Sequence, residues 1–237
     1  MKHIIKSTTP KLFEQWVNDN LHTINTKIAN NESGDAIWAL LNSSLPPNEY
    51  QEPHKNYYSK ENLRTALITE QGYICCYCIQ RIKDAPLHAK IEHFLPKDSY
   101  KANTFDYQNL HLACMGGERD APPRYCDTYK GNQPTTIISP LQPNCQEHFT
   151  YTEQGNIKPN NNHNIDKELA KTTIETLNLN APALKLLREK TIDTYIYEVW
   201  TPDMDTQKEI TDLLSINTEG MYEPFCVAIA QVLSYYP

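Results

Sequence analysis

Cysteine placement sets the first limit on what this chain can fold into. Cys75 and Cys78 stand either side of a two-residue spacer, and Cys114 and Cys126 follow, so these four thiols and Cys76 fall within residues 75–126. Across residues 72–132 the apolar runs are short and broken by Cys, Pro and Gly. A segment with so little continuous core needs a staple such as a metal. A two-residue spacer lets two thiolates from one tight turn grip a single ion. Zn²⁺, at about 2.3 Å from each sulfur, suits four thiolates better than calcium or magnesium does. The gap between Cys114 and Cys126 is longer than the usual ligand spacer, and Gly116, Gly117, Pro122 and Pro123 suggest an inserted loop there. Scattered buried thiols are the rival reading, and they fit a tight pair plus two clustered partners poorly. Cys76 sits too close to Cys78 to act beside it. Cys145 and Cys226 have no partner at ligand spacing and are expected to be small buried hydrophobes. The cysteine count is seven; an odd number with this clustering points to metal before disulfides.

Charge is distributed unevenly. The chain of 237 residues carries a net charge of -7, the wrong sign for a simple nucleic-acid binder. Residues 1–71 hold 7 basic and 8 acidic groups, residues 72–132 hold 8 and 7, and residues 133–237 hold 7 and 14. Three regions are therefore expected: an N-terminal helical region (1–71), a metal-stapled core (72–132) and an acidic, mostly helical C-terminal lobe (133–237). Phosphate repulsion makes the last a poor nucleic-acid surface and a better structural or protein-docking one. No apolar stretch reaches the roughly 18 residues of a membrane span, and no signal-peptide run follows the start, so a soluble, cytoplasmic protein is expected.

The expected fold class is α+β and predominantly helical. Thr9 as N-cap and Pro10 at the first position predict a helix over 10–30, with Leu12, Phe13, Trp16, Val17, Leu21, Ile24 and Ile28 on one face. A short helix is predicted over 34–42, followed by a loop marked by Pro46, Pro47 and Pro53. A further helix runs from the N-cap Ser59 to about Gln71, stopped by Gly72. Gln154-Gly155 predicts a hairpin between 149–152 and 156–158. Two helices follow over 165–177 and 181–200, with Pro182 near the start of the second. A last apolar helix begins at Pro224.

Between the halves of the cysteine set lies Ile91-Glu92-His93-Phe94-Leu95-Pro96-Lys97. In a strand, Glu92 and His93 point to opposite sides. At a bending strand end one can hold a metal while the other faces a reacting water. Asn109-Leu110 precedes Cys114, and Asp127-Thr128-Tyr129-Lys130 follows Cys126 directly. A lone Glu-His pair is usually an exposed salt-bridging strand; inside a cysteine knot with Asn and Asp at these places, function is the better reading. His111, flanked by apolar residues, reads as structural, and His88 as a hydrogen-bonding hairpin residue. His3, His22, His54, His148 and His163 read as solvated.

The order Cys-x-x-Cys, Glu-His-x-x-Pro, Asn-Leu-x-x-x-Cys, Cys-Asp-x-x-Lys resembles the zinc-containing HNH (ββα-metal) endonucleases over residues 72–132. The flanks resemble a narrower group, the PtuB-type HNH proteins of Septu and retron anti-phage systems. They do so through the Met-Lys-x-Ile-x-Lys start, the Glu-His-Phe-x-Pro-Lys form of the first motif, and Leu177-Asn178-Leu179-Asn180 ahead of a helix carrying Arg188. The resemblance implies a β-hairpin followed by a helix that grips one divalent ion, Mg²⁺ or Mn²⁺. It implies His93 as general base, Asn109 as the residue orienting the His-bearing loop, and Glu92 and Asp127 as ligands. Many members carry His where Asp127 stands, and Asn132 is an alternative last ligand. Lys90, Lys97 and Lys130 are phosphate-contact candidates. The resemblance further implies a PtuA-type ATPase partner, a retron reverse transcriptase with its DNA product, and a DNA or tRNA target. A zinc-stapled binding module without catalysis is the contrasting class; it would have no need of Glu92, His93 and Asn109 together.

Overall fold

A computed structural model of the chain describes residues 1–42, 57–82, 89–117, 123–133 and 136–236. The expectations for Pro46, Pro47, Pro53, His54, His88 and Pro122 lie outside these residues.

Helix α1 spans Lys11–Ala29, with Pro10 as the residue before it rather than its first member. Phe13, Trp16 and Ile24 are buried, whereas Leu12 and Leu21 remain exposed. The apolar face is thus narrower than the sequence pattern suggested, because the helix lies on the surface and offers one stripe to the core. Helix α2 (Gly34–Trp38) starts from Ser33, whose hydroxyl accepts from the Ala36 amide, and is shorter than expected. Helix α3 (Lys60–Glu70) begins with a reciprocal capping pair of Ser59 and Asn62. It ends at Gly72, whose φ of +58° sits against the Tyr222 ring; a Cβ there would lie 2.5 Å from Tyr222 Cδ2.

Strands β1 (Ala89–His93) and β2 (Leu110–Cys114) form an antiparallel pair in which Ala89 faces Cys114, Glu92 faces His111 and His93 faces Leu110. The pair is bracketed to α3 by the buried Gln71. Its side-chain amide donates to Leu112 O at 2.8 Å, and its carbonyl accepts from Leu112 N at 2.7 Å. A single helical turn, α4 (Asp127–Lys130), follows Cys126.

The remaining chain adds a second antiparallel pair, β3 (Phe149–Tyr151) and β4 (Ile157–Pro159), at the predicted hairpin. Helix α5 (Lys167–Thr176) is capped by Asp166, and α6 (Pro182–Thr194) runs on into a π-turn over Tyr195–Val199. Helix α7 (Thr206–Leu213), capped by Asp205, was not expected from the sequence. It buries only Leu213 fully, so its apolar stripe is thin. Helix α8 (Cys226–Leu233) is buried almost all round, as its composition predicts. The architecture is α+β, with eight α-helices and two small sheets among the described residues.

One core cluster draws on all three sequence regions: Phe13 and Leu67, Ile79 and Leu112, Phe149 and Ile229 belong to it together. The segment before α8 is also stitched to the cysteine turn. Tyr222 N donates to Gly72 O at 3.0 Å and Phe225 N to Ile79 O at 2.9 Å. Among the described residues, no helix is long and apolar enough to cross a membrane.

Candidate metal centre and catalytic cleft

Cys75, Cys78, Cys114 and Cys126 converge from the turn after α3, the end of β2 and the residue before α4. All four are buried, with sulfurs within 4.8 Å of one another. Cys75 and Cys126 Sγ are 3.9 Å apart and Cys78 and Cys114 Sγ 3.7 Å. A tetrahedral ion at about 2.3 Å from each sulfur requires sulfurs about 3.8 Å apart, which these two pairs match, so the four thiols could hold a metal such as zinc. The Cys114 amide donates to Cys75 Sγ at 3.3 Å, which favours the thiolate form a metal needs. Among the described residues no other His, Cys, Asp or Glu group of three or more is close enough to hold an ion. Cys145 and Cys226 are free and buried, as expected of small hydrophobes.

Beside this knot a cleft of about 460 Å³ opens between α2, α3, β1 and α4. Glu92, His93, Lys90, Lys97, Asp127, Lys130 and Asn132 all line it, so the sequence-selected residues share one site except Asn109 and the cysteines, which lie behind its wall. Glu92 is buried, and its Oε1 accepts from the Tyr77 hydroxyl at 2.6 Å and pairs with Lys130 Nζ at 2.5 Å. Burial, and then the neighbouring Asp127 carboxylate, pushes the Glu92 carboxyl well above the usual range, while Lys130 pulls the other way. Buried Glu92 and half-buried Asp127 thus place two carboxylates side by side in the cleft.

His93 sits at the end of β1 with its ring edge against Trp38, the centroids 4.7 Å apart. Its Nε2 is 3.0 Å from the Thr104 carbonyl. A carbonyl only accepts, so Nε2 carries the hydrogen and Nδ1 is the bare nitrogen. Burial, reinforced by Lys97, lowers its pKa to about 4, which keeps the ring neutral at ordinary pH. Asn109 pins the loop that leaves His93. Its Nδ2 donates to Leu95 O at 3.0 Å and Asn103 O at 3.1 Å, and its Oδ1 accepts from Leu95 N at 2.7 Å.

Several expectations need correction. Lys130 is not an outward-facing phosphate contact. It is buried, and its ammonium is spent on Glu92 and on the carbonyls of His93 (3.1 Å) and Phe94 (3.4 Å). The Glu92 carboxylate and these two carbonyl oxygens hold it there. Asn132, the alternative last ligand, is exposed, and its Nδ2 donates to Asp98 Oδ2 at 2.7 Å. His148 is buried rather than solvated, its Nδ1 3.0 Å from Asn144 O, because the turn ahead of β3 folds over it. His111 is buried, as a structural reading requires, but neither ring nitrogen has a hydrogen-bond partner.

Residues not singled out from sequence also build the cleft. Tyr77 lies inside the Cys-x-x-Cys spacer, where only its position between ligands could have flagged it. Trp38, Lys60, Arg64 and Arg124 line the walls. Lys60 and Arg64 were visible as two cations one helical turn apart on α3.

No model of a known protein family matches the chain. Two curated relatives do. The candidate HNH endonuclease of retron Vc95 from Vibrio cholerae serotype O1 biovar El Tor is 32% identical over 142 residues, which cover 58% of this chain and 67% of that protein. Septu protein PtuB from Bacillus thuringiensis is 27% identical over 159 residues, which cover 62% of this chain and 54% of that protein. The first of these places the chain among HNH proteins. More narrowly, it belongs to the family of PtuB-type HNH defence effectors found in retron and Septu systems.

Proposed function

We propose that this chain is a metal-dependent HNH endonuclease that cuts phosphodiester bonds as the toxic effector of an anti-phage system. One observation carries the reading: neutral His93 and the Glu92–Asp127 carboxylate pair face the same cleft, braced by a four-cysteine knot.

In this reading His93 Nδ1 takes a proton from the water that attacks the phosphate, while its Nε2–H stays on Thr104 O and fixes the ring. Asn109 holds residues 95 and 103 so that the ring cannot swing away. Glu92 and Asp127 hold the ion, and Asp127 is preferred to Asn132 as the second ligand because it lies against Glu92. Mg²⁺ or Mn²⁺ bound there supplies charge stabilisation at the phosphate and the leaving oxygen. Zn²⁺ in the cysteine set is structural, and Lys90 and Lys97 contact the substrate backbone. The partner is a PtuA-type ATPase, docked on the acidic region 133–237, and in a retron setting a reverse transcriptase with its DNA product. The names of the two relatives support this assembly.

Wild type and His93→Ala are compared on plasmid DNA and total tRNA with Mg²⁺ or Mn²⁺, with and without the ATPase. Cutting by wild type alone is expected, and its substrate tells DNA from tRNA. Equal cutting by both proteins, or none by either with the ATPase present, returns the chain to the class of zinc-stapled binding modules.

A further inference from the structure

Helix α3 turns Lys60 and Arg64 toward the cleft, four residues apart on one face, and Lys97 meets them from the loop after β1. Like charges at this helical spacing repel. The Lys60 ammonium is held over the Trp38 ring, 5.0 Å from its centroid. Its pKa is lowered by burial, then by Arg64 and Lys97, with Asp35 opposing. Arg64 is lowered by burial, with Glu61 opposing. Asp35 pairs with Lys97 at 3.2 Å, yet its side chain is 76% exposed. Among the described residues no carboxylate forms an ion pair with Lys60 or Arg64, and Arg64 Nε is shielded from solvent without a hydrogen-bond partner.

Long cationic side chains commonly lie along a helix and release their charge to water. That behaviour spreads charges apart. Here three cations converge on the cleft that holds His93, and one guanidinium N–H is left unmet.

We infer that Lys60, Arg64 and Lys97 form a second phosphate site, which holds a backbone phosphate of the nucleic-acid strand next to the one that is cut. The guanidinium offers paired N–H donors to phosphate oxygens, and the two ammonium groups act as point charges. Helix α3 is then part of the substrate surface. The inference rests on the nuclease reading for its ligand.

The test uses full-length His93→Ala protein and labelled single-stranded DNA and RNA, with affinity read by fluorescence anisotropy across a salt series. Adding Lys60→Gln and Arg64→Gln should weaken binding about tenfold or more. It should also flatten the slope of log affinity against log salt by about 0.7, the loss of one phosphate contact on a single strand. Lys167→Gln with Lys171→Gln on α5 is the charge-matched control and should leave the slope unchanged. Arg64→Lys, which keeps the charge and the fold but loses the fork, should give a smaller loss of affinity with the slope retained. An unchanged affinity and slope in the double variant, or no salt-dependent binding by the parent, overturns the phosphate site. The nuclease reading fails separately, if His93→Ala cuts as wild type does.

Discussion

The Tyr77 hydroxyl donates to Glu92 Oε1 at 2.6 Å, so the turn that carries Cys75 and Cys78 also grips the cleft carboxylate. That bond and the Lys130 ammonium both fall on Oε1, and Asp127 lies beside the same carboxyl. Hydrogen bonds to charged groups contribute about 1.5–3 kcal/mol. Tyr77→Phe should therefore slow cleavage about 10- to 100-fold. Zinc content, read by atomic absorption, should stay at the wild-type value. Wild-type rates in Tyr77→Phe would show that Glu92 does not depend on this contact.

The cysteine set predicts a folding dependence. A structural zinc site contributes on the order of 10 kcal/mol. Cys78→Ser or Cys114→Ser should lose the metal and the ordered hairpin together, seen as lost amide protection across residues 72–132. Retained protection with one ligand gone would sink the four-thiolate site.

Lys130 neutralises Glu92 at a place where both side chains are only 3% exposed. Removing one partner of a buried pair costs about 3–5 kcal/mol because the other charge stays behind. Lys130→Met should be destabilised to this degree in chelator. It should recover part of the loss on adding Mg²⁺ or Mn²⁺, which a thermal melt with and without the ion reads directly. A melt indifferent to the ion would argue against a cation site at Glu92 and Asp127.

His111 predicts a pH dependence. Burial, and then Lys6, lowers its pKa from 6.5 to about 3, so the fold favours the neutral ring. A depressed folded-state value means that the stability is fully present above pH 6.5 and is lost as pH falls toward 3. The swing is on the order of 5 kcal/mol. His93 shifts in the same sense, with its value near 4. Urea unfolding of wild type should weaken steadily below pH 6.5, and His111→Leu should weaken less. Parallel curves for the two proteins would place the acid sensitivity elsewhere.

Much of this arrangement was legible in the residues themselves. The spacing of Cys75 and Cys78 announced a cysteine cluster that could hold an ion, and Ser59 with Gly72 bracketed α3, because caps and thiolate turns are local chemistry. Charge placement was harder to read. Lys130 looked like a surface cation, since nothing in the sequence says that Glu92 lies 2.5 Å from it. His148 looked solvated because its burial depends on how the turn before β3 packs. Helix α7 escaped notice because one well-buried residue, Leu213, gives too weak a periodic signal. Lys60 and Arg64 as cleft residues, and Tyr77 as a partner of Glu92, became visible only once elements distant in sequence were brought together.

The two backbone bonds from Tyr222 and Phe225 to Gly72 and Ile79 bear on truncation. A chain cut after residue 221 would lose more than an acidic tail. It would strip the amide partners from both carbonyls flanking the Cys-x-x-Cys turn and expose the core face that α8 covers. The shortest fragment able to keep its cysteine turn in shape therefore runs past Phe225. Any attempt to produce residues 72–132 alone removes a wall that the sequence places nearly a hundred residues away.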